Sequence, residues 1–517
     1  MGKNKNFFLL LSFIEGGSVM ACELIGAKLL APYFGTSLYV WAAALALTLG
    51  GLTLGYFLGG RLSHKYKNNA NTLYYVLIAA AILLIVMPFS SYYIMENTIN
   101  LNLEMGAILS LFGFMFPPLV FMGMVSPLII NLLTSDADAA GKSAGNVYAI
   151  STLGGILYTF LMGFYIIPNF GLSGPAIVSG IILAVLPLIA LLRKVPVHAA
   201  VLLTLILSGA FLSNTSKLEY NEEYQELYHS EGILGQVKVV DHPSYDITPD
   251  HRMGRALLVN NTLQTYMGHD NNFQYSIWNW SHYFPTAASI FPAGSDVLLL
   301  GLGGGTIVKQ LDRLQYNVEV VEIDERVKDV SIEFFGMDPN TIVHIDDARH
   351  YLKTVDKKYD IIIYDTFLSE SVPEHLLTIE GFEDAKRKLK KGGMIMTNFY
   401  GYIKGERGRA ARSVHRTLSQ SSFMVDVLAT PGAEANRNLI FLASLEEKDF
   451  TNINYSEPNY PTITNLYDYF IDNRFLDTSD GVILSDKKPR LSKLYLPAAR
   501  EWKKNYNNYY RKHFLKK

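Results

Sequence analysis

Glycines and acids follow successive apolar segments in the second half of this 517-residue chain, where they can hold a nucleoside. Gly301, Gly303 and Gly305 follow the apolar segment "DVLLL", and Glu322 ends the next apolar segment. Glycines let the backbone approach a ligand, and a carboxylate at the end of a second strand accepts hydrogen bonds from both ribose hydroxyls. This combination indicates a site for an adenosine-containing ligand.

Two more acids follow the later apolar segments. Asp347 in "IDDAR" can accept a hydrogen bond from an adenine amino group, and Asp365 ends the segment "YDIIIYD". Asp365 comes last along the chain and is expected closest to the reacting atoms. The alternative is that Asp365 only caps the following helix.

Alternating strands and helices must position these residues. The apolar segments "DVLLL", "NVEVVEID", "TIVHI", "YDIIIYD" and "GGMIMTNF" alternate with helix-like segments, "GTIVKQLDRL", "ERVKDVSIEFF" and "TIEGFEDAKRKLKK". This alternation predicts a parallel, doubly wound α/β sheet, which binds ligands beyond the carboxyl ends of its strands. Before it, "GILGQVKVVDH" and "RALLVNNTLQTYM" predict a small β-rich region.

The first half of the chain has long apolar segments with few charges. A helix needs roughly 20 apolar residues to cross a bilayer. Seven segments predict an α-helical polytopic membrane bundle: 7–32, 38–60, 72–94, 106–134, 145–168, 174–192 and 197–213. The seventh is short for a span and can instead lie flat on the membrane or re-enter it.

Basic residues in the short loops predict the orientation of this bundle. They precede the first span at Lys3 and Lys5, follow the second in "RLSHKYK", and follow the sixth at Arg193 and Lys194. All three loops lie on one side, so the N-terminus is expected in the cytoplasm. An odd number of spans then places the second half of the chain outside and an even number places it inside, and the seventh segment leaves both open.

Charge and cysteine content narrow the classes of function. The formal net charge of −2 gives no indication of a nucleic-acid partner. The single cysteine, Cys22, excludes an intrachain disulfide and a cysteine metal site. Glu15, Glu23 and Lys28 lie in or near the first span and indicate either a polar site in the bundle or an internally paired structural cluster.

These changes in composition predict four regions. They are a transmembrane helical domain at 1–213, a β-rich subdomain at 214–292, a Rossmann-like adenosyl-binding domain at 293–447 and a C-terminal extension at 448–517. The extension ends in "REWKKNYNNYYRKHFLKK". Its basic and aromatic residues predict a solvated amphipathic helix or a segment on an anionic membrane surface.

Several segments, in order, resemble the motifs of the spermidine synthases, the polyamine aminopropyltransferases, and of their bacterial members fused to a membrane region. In the second half they are "ILGQVKVVD", "NNTLQTYM", "LLLGLGGGTIV", "VEIDERV", "DDARHYL", "YDIIIYDTF" and "VPEHLLTIEGFEDAKRKLKKGG". In the first half they are "ELIGAKLLAPYFGTSLYVWAA", "LTLGYFLGGRL" and "GNVYAISTLGGILYTFLMGFYIIPNFG". The resemblance implies a methyltransferase-type Rossmann-like fold in the bacterial plasma membrane, with a small amine and the lipid bilayer as partners. Soluble members of the family commonly form homodimers.

The resemblance also implies a reaction. Family members transfer an aminopropyl group from decarboxylated S-adenosylmethionine to an amine such as putrescine and release methylthioadenosine. Because the sulfonium is already an activated leaving group, no metal is expected. The family's cosubstrate-contacting positions correspond to Gln236, Gln264, Glu322, Asp347, Ala348 and Pro373, and its catalytic aspartate corresponds to Asp365.

The chemistry of amines supports this role for Asp365. An alkylamine has a pKa of about 10 in water, so at neutral pH its lone pair is protonated and cannot attack carbon. A carboxylate beside it can take the proton and aim the nitrogen at the methylene next to the sulfonium.

The amine side departs from the family's pattern. Gly304 and Leu368 stand where the family has acids. The family's substrate histidine falls near Ser276, and the nearest substrate candidates are His282 and Tyr275. Further substitutes for the missing charges are the carboxylates of Glu370 and Glu374 and the ring faces of Trp278 and Trp280.

Two other classes of function therefore stay open. The first is a methyltransferase that uses intact S-adenosylmethionine, because loss of the loop acid at Gly304 relaxes the demand for a cosubstrate without a carboxylate. The second is a membrane carrier or sensor that binds a polyamine or adenosyl compound without turnover. Retention of Asp365 argues against this second class.

Overall fold

The computed structural model describes residues 2–515 except 67–68, 135–139, 216–219, 245–251, 270–271, 368–371, 452, 454, 456–464, 473 and 475. The chain folds into two compact units. The first consists of Met1–Glu219 with Ser230–Gln236, and the second of Tyr220–His229 with Val237–Lys517.

The first unit is helical. Its helices are α1 (Gly2–Leu29), α2 (Ala31–Phe34), α3 (Leu38–Lys65), α4 (Ala70–Thr98), α5 (Leu103–Phe114), α6 (Phe116–Gly123), α7 (Val125–Leu133), α8 (Ala140–Leu161), α9 (Ile167–Phe170), α10 (Ser173–Leu192) and α11 (Pro196–Thr215). A π-helical turn at Met162–Ile166 joins α8 to α9. Among the described residues, seven helical segments are long and apolar enough to cross a membrane, including Pro196–Ser213 at the predicted seventh span.

The segment predicted as one span at 106–134 is not a single helix. The chain breaks at Met115 and Met124, so that α5, α6 and α7 follow one another. Pro117 and Pro118 begin α6, and Pro127 lies in the first turn of α7. Because proline has no N–H to donate to the preceding turn, these three residues interrupt the helical ladder.

Helices α1 and α8 pack closely because small residues lie at their contact. A Cβ added at Gly16 would lie 2.0 Å from the Ser151 carbonyl oxygen, and one added at Gly154 would lie 2.0 Å from the Phe13 carbonyl oxygen. The two backbones are therefore in direct contact, as in small-residue packing of membrane helices.

The rest of the chain contains two sheets and their helices. The strands are β1 (Gln225–Gly232), β2 (Gly235–Pro243), β3 (Met253–Val259), β4 (Thr262–Gly268), β5 (Asp296–Leu300), β6 (Asn317–Glu322), β7 (Ile342–Ile345), β8 (Tyr359–Tyr364), β9 (Leu389–Tyr400), β10 (Met424–Ala429) and β11 (Asn438–Ser444). The helices are α12 (Tyr283–Ala288), α13 (Thr306–Arg313), α14 (Glu325–Glu333), α15 (Ala348–Thr354), α16 (Ile379–Lys388), α17 (Arg409–Gln420) and α18 (Leu491–His513).

The predicted Rossmann-like sheet is confirmed. Its strands are ordered β10-β11-β9-β8-β5-β6-β7, and β7, β6, β5, β8 and β9 are parallel. The chain starts at β5, builds outward through β6 and β7, and then returns to the other side of β5 at β8. A crevice opens at such a reversal, and ligands of doubly wound sheets bind there. The sheet is not wholly parallel, because β11 runs antiparallel between β9 and β10.

The small sheet has the order β1-β2-β3-β4. The turn between β3 and β4 is made by Asn260 and Asn261, whose φ angles are +52° and +57°. Asparagine tolerates this left-handed conformation better than most residues, which permits the tight hairpin.

The C-terminal helix α18 is not a solvated surface helix, contrary to one of the two expectations for the tail. It buries Leu491, Tyr495, Trp502 and Tyr510, and Lys503 is only 2% exposed. The Lys503 Nζ donates a hydrogen bond to the Asn260 carbonyl oxygen at 3.2 Å. The helix is thus part of the second unit's core.

The contact between α1 and α8 yields a stability prediction. Gly154→Ala should lower the melting temperature of the detergent-purified protein by several degrees, because the new methyl group would overlap the Phe13 carbonyl and cost about 1–3 kcal/mol. Gly145→Ala on the same helix is the matched control, since nothing lies within 4 Å of its added Cβ. Equal melting temperatures for the two variants would contradict the packing described.

Candidate functional site

A cavity of about 770 Å³ lies at the carboxyl ends of the parallel strands in the second unit. Its lining comes from β4, from the segments after β5, β6, β7, β8 and β9, from the loop before β11 and from α18. Of the predicted site residues, Gln264, Gly301, Gly303, Glu322, Asp347, Ala348, Asp365 and Pro373 line it.

The glycine loop brings the ends of β5 and β8 together. Gly301 has a φ of +90°, and a Cβ on it would lie 2.0 Å from the Asp365 carbonyl oxygen. The Asp365 N–H in turn donates to the Leu300 carbonyl oxygen at 2.8 Å. Only glycine combines this backbone angle with this approach. Gly305 begins α13 and does not line the cavity.

Glu322 is a buried carboxyl whose orientation is set by the backbone. Its two oxygens accept hydrogen bonds from the N–H groups of Leu302 and Asp324, each at 2.9 Å. Burial raises the pKa of Glu322 to about 7, although these N–H donors favour its charged form. Each oxygen keeps a further lone pair, so the carboxyl can still accept hydrogen bonds from a diol in the cavity.

Asp347 lies at the next strand end and caps α15. One of its oxygens accepts from the N–H groups of Arg349 and His350, and the other lies 3.1 Å from His375 Nε2. Burial raises the pKa of Asp347, but the His350 N–H and His375 outweigh it, so the pKa falls below its ordinary value. A charged acceptor next to Ala348 and Pro373 suits the amino edge of a purine.

The Asp365 carboxyl is held by a chain of two amides. The Asn398 Nδ2 donates to Asp365 Oδ1 at 2.8 Å, and Asn398 Oδ1 accepts from Asn438 Nδ2 at 2.8 Å. Burial raises the pKa of Asp365 to about 6, and the Asn398 bond opposes that rise. Thr378 caps α16, the next described α-helix, so Asp365 does not serve as the cap of that helix.

Besides Gly305, three predicted residues do not line this cavity. Gln236 is half-buried on β2, outside the lining. His282 is 2% exposed, with its ring nitrogens 3.2 Å from the Ser276 carbonyl oxygen and 3.4 Å from Gln310 Nε2. The Arg313 guanidinium lies 4.7 Å from the ring centroid of Tyr275. His282 and Tyr275 therefore make contacts with Gln310 and Arg313 outside the cavity lining.

The side chains predicted to substitute for the family's missing acids differ in whether they line the cavity. Glu374 accepts hydrogen bonds from the Leu491 N–H and the Ser492 hydroxyl at the start of α18, so it does not line the cavity. Leu368 and Glu370 lie outside the described residues. The rings of Trp278 and Trp280 do line the cavity.

The neighbourhood of Gly304 explains why no acid stands there. The Gly304 N–H donates to Thr265 Oγ1 at 2.7 Å, and an added Cβ would lie 2.7 Å from Thr265 Cγ2 and 3.2 Å from Phe335 Cδ1. The space next to Gly304 is therefore already filled.

The sequence interpretation missed one whole side of the cavity. It is formed by Asn398, Tyr400, Arg437, Asn438, Trp502, Asn505, Tyr506 and Tyr509. Trp502 packs edge-on against Tyr400 with ring centroids 4.5 Å apart, and the Leu263 N–H donates to the Tyr506 hydroxyl. The dense aromatic residues of the C-terminal tail were the available signal, but they were interpreted as a surface feature.

The carboxyls among the described lining residues are Glu322, Asp346, Asp347 and Asp365. Within the described part of the chain, no group of three or more His, Cys, Asp or Glu side chains is arranged to hold a metal ion.

Comparisons with known proteins agree with this geometry. Residues 286–456 match the family model of the spermine/spermidine synthase domain. A polyamine aminopropyltransferase of Vibrio vulnificus (strain CMCP6) is 36% identical over 131 residues, which cover 23% of this chain and 44% of the relative. One from Streptococcus uberis (strain ATCC BAA-854 / 0140J) is 28% identical over 206 residues, covering 38% and 67%. The crystal structure of spermidine synthase from Thermotoga maritima has 16% identity and a TM-score of 0.39, covering 50% of this chain and 95% of its own. The chain thus spans less than half the length of the Vibrio relative.

The buried Glu322 yields a binding prediction. Glu322→Gln should weaken binding of 5′-methylthioadenosine at least about tenfold, because hydrogen bonds to a charged acceptor contribute about 1.5–3 kcal/mol. Isothermal titration calorimetry measures this, with Glu325→Gln, an exposed neighbour at the start of α14, as the control. If the folded Glu322→Gln protein binds within twofold of the unmodified protein, the nucleoside does not contact this carboxyl.

Proposed function

Since residues 286–456 match the family model of the spermine/spermidine synthase domain, we propose that the chain is a membrane-bound aminopropyltransferase. It transfers the aminopropyl group of decarboxylated S-adenosylmethionine to an amine and releases methylthioadenosine. The observation that carries this proposal is the placement of Asp365 in one cavity with Glu322 and Asp347, at the reversal point of the sheet.

The reaction needs one base and one activated carbon. The amine nitrogen attacks the aminopropyl methylene next to the sulfonium, and a carbon–nitrogen bond forms as the carbon–sulfur bond breaks. The sulfur keeps the electron pair and becomes a neutral thioether. Asp365 takes the proton of the attacking amine, while Asn398 occupies one carboxyl oxygen and leaves the other for the substrate.

Aromatic residues of the cavity supply surfaces that can hold an amine. Trp278, Trp280 and Trp502 are among its lining residues. Aromatic ring faces attract ammonium groups, most strongly where water is excluded. Arg437 also lines the cavity, but its guanidinium is paired with Glu434 at 3.2 Å. The lining does not single out putrescine, which is only one of the amines to be tested.

The apolar helices of the first unit support a membrane location. Seven described segments of sufficient length and hydropathy suit a multi-pass anchor in a bacterial plasma membrane. The proposed cosubstrate is a small cytosolic compound, so the second unit is proposed to face the cytoplasm. With the N-terminus also in the cytoplasm, this orientation requires an even number of crossings, such as six or eight, in place of the seven candidate segments.

One observation favours a second candidate, methyl transfer from intact S-adenosylmethionine. Gly304 has no carboxylate to hold the cosubstrate's ammonium, and none to repel the carboxylate that the intact compound carries. The two functions differ in product, because a methyltransferase releases S-adenosylhomocysteine.

Product analysis by mass spectrometry tests the proposal. The purified full-length protein is offered a set of amines, putrescine among them, with either decarboxylated or intact S-adenosylmethionine. Methylthioadenosine and an aminopropylated amine should form only with the decarboxylated compound. Asp365→Asn should lower kcat by about a hundredfold or more, because general base catalysis contributes on this scale. S-adenosylhomocysteine as the only nucleoside product would establish the methyltransferase instead.

The raised pKa of Asp365 yields a pH prediction. The base must be deprotonated, so kcat/KM should fall as the pH drops through about 6. Asn398 stabilises the charged carboxyl, and Asn398→Ala should therefore raise the pKa of Asp365 further and move this acidic limb to higher pH. If the acidic limb of the kcat/KM profile of Asn398→Ala stays in place or moves to lower pH, a group other than Asp365 controls the rate.

A further inference from the structure

A second cavity lies within the helical first unit, between α1, α3 and α8. Its volume is about 340 Å³, and it is lined by Glu15, Gly16, Val19, Met20, Leu52, Tyr56, Ser151, Thr152, Gly155, Ile156, Thr159 and Phe160. Tyr56, Ile156 and Phe160 are exposed on the helix surfaces, so the cavity is a groove that opens on the side of the helices. Its occupant can therefore enter laterally.

Glu15 is the one acid among the described residues that line this groove. It is 3% exposed, and it accepts a hydrogen bond from the Ser151 hydroxyl at 3.1 Å. No lysine, arginine or histidine that the structure describes forms an ion pair with it. A carboxyl in such an apolar environment is costly, and acids of this kind face a partner or a cavity.

The groove is shaped by small residues and is formed without a ligand. Gly16 and Gly154 hold α1 and α8 in backbone contact, which places Glu15 and Ser151 next to each other. One turn along α8 from Ser151, Gly155 also faces α1. An added Cβ there would lie 3.2 Å from Met20 Cγ and 3.4 Å from the Gly16 carbonyl oxygen, so this glycine keeps α1 and α8 close together beside the groove.

The other lining residues either carry a hydroxyl group or are apolar. Thr159 Oγ1 donates to the Gly155 carbonyl oxygen at 2.8 Å, so its lone pairs remain as acceptors. Thr152 and Tyr56 add further hydroxyl oxygens. The walls are aliphatic or aromatic, and the groove is too large for a single metal ion with one carboxylate ligand.

We propose that this groove binds a protonated primary amine attached to an apolar chain. The ammonium pairs with Glu15 and donates its remaining hydrogens to neighbouring hydroxyl oxygens. The chain lies along Leu52, Ile156 and Phe160 toward the opening. Charge complementarity selects an amine over an alcohol, since the buried carboxyl recovers part of its desolvation cost only from a cation.

The test uses the full-length protein in phosphatidylcholine nanodiscs and dodecylamine as the probe. Binding of radiolabelled dodecylamine is measured for the unmodified protein and for Glu15→Gln, which keeps an acceptor for the Ser151 hydroxyl. Partition into lipid is common to both samples, so the difference between them reports on the groove. The affinity should fall at least tenfold in Glu15→Gln, and dodecanol should not compete for the site.

Two more variants distinguish a specific loss of binding in the groove from a general effect on folding. Ile156→Trp keeps Glu15 and enlarges an exposed lining side chain at the opening of the groove, so it should also weaken dodecylamine binding. Glu104→Gln, at the start of α5, should bind like the unmodified protein. Equal binding in the unmodified protein and in Glu15→Gln, or equally effective competition by dodecanol, would overturn the proposal. So would the absence of saturable binding in the unmodified protein.

Discussion

The contact between the backbone of Gly301 and the carbonyl of Asp365 is the constraint on which the cavity of the second unit depends. It is possible because Gly301 has no side chain and adopts a positive φ angle. The contact joins the ends of β5 and β8 at the reversal point of the sheet, where the Asp365 N–H also binds the Leu300 carbonyl. The glycine loop after β5 and Asp365 after β8 are therefore held together by direct backbone contact, although they are far apart in the sequence.

Carboxyls that line the cavity lie around this constraint, and each of the following three is oriented by a different partner. Glu322 is aligned by two backbone N–H groups, Asp347 by the start of α15, and Asp365 by the amide of Asn398. Backbone donors and a helix start orient an acceptor for a neutral ligand group, such as a hydroxyl or an amino group. Asp365 accepts from the neutral amide of Asn398, and burial raises its pKa to about 6. These three acids of the cavity lining are thus oriented by different partners.

The helical unit also orients a buried acid, but it supplies that acid with fewer partners. Two glycines bring α1 and α8 together, and the carboxyl at their crossing receives one hydroxyl donor and no cation from the described chain. The second unit satisfies its acids largely with its own backbone and side chains. In the first unit no cation of the described residues pairs with Glu15, and this is the observation behind the proposed amine ligand.

The sequence by itself determined the parts of this protein that depend on neighbouring residues. The strand and helix alternation, the glycine loop and the acids at strand ends are local patterns. Gly301, Glu322, Asp347 and Asp365, which these patterns single out, all line one cavity. Only the tertiary structure decided which distant segments complete that cavity. Trp502 and Tyr506 reach it from the C-terminal helix, while His282 and Tyr275, close to it in sequence, turn to Gln310 and Arg313. The break of the fourth apolar segment into α5, α6 and α7 was also not predicted, although its prolines are visible in the sequence. Side-chain direction and long-range packing depend on the whole core, and no spacing along the chain encodes them.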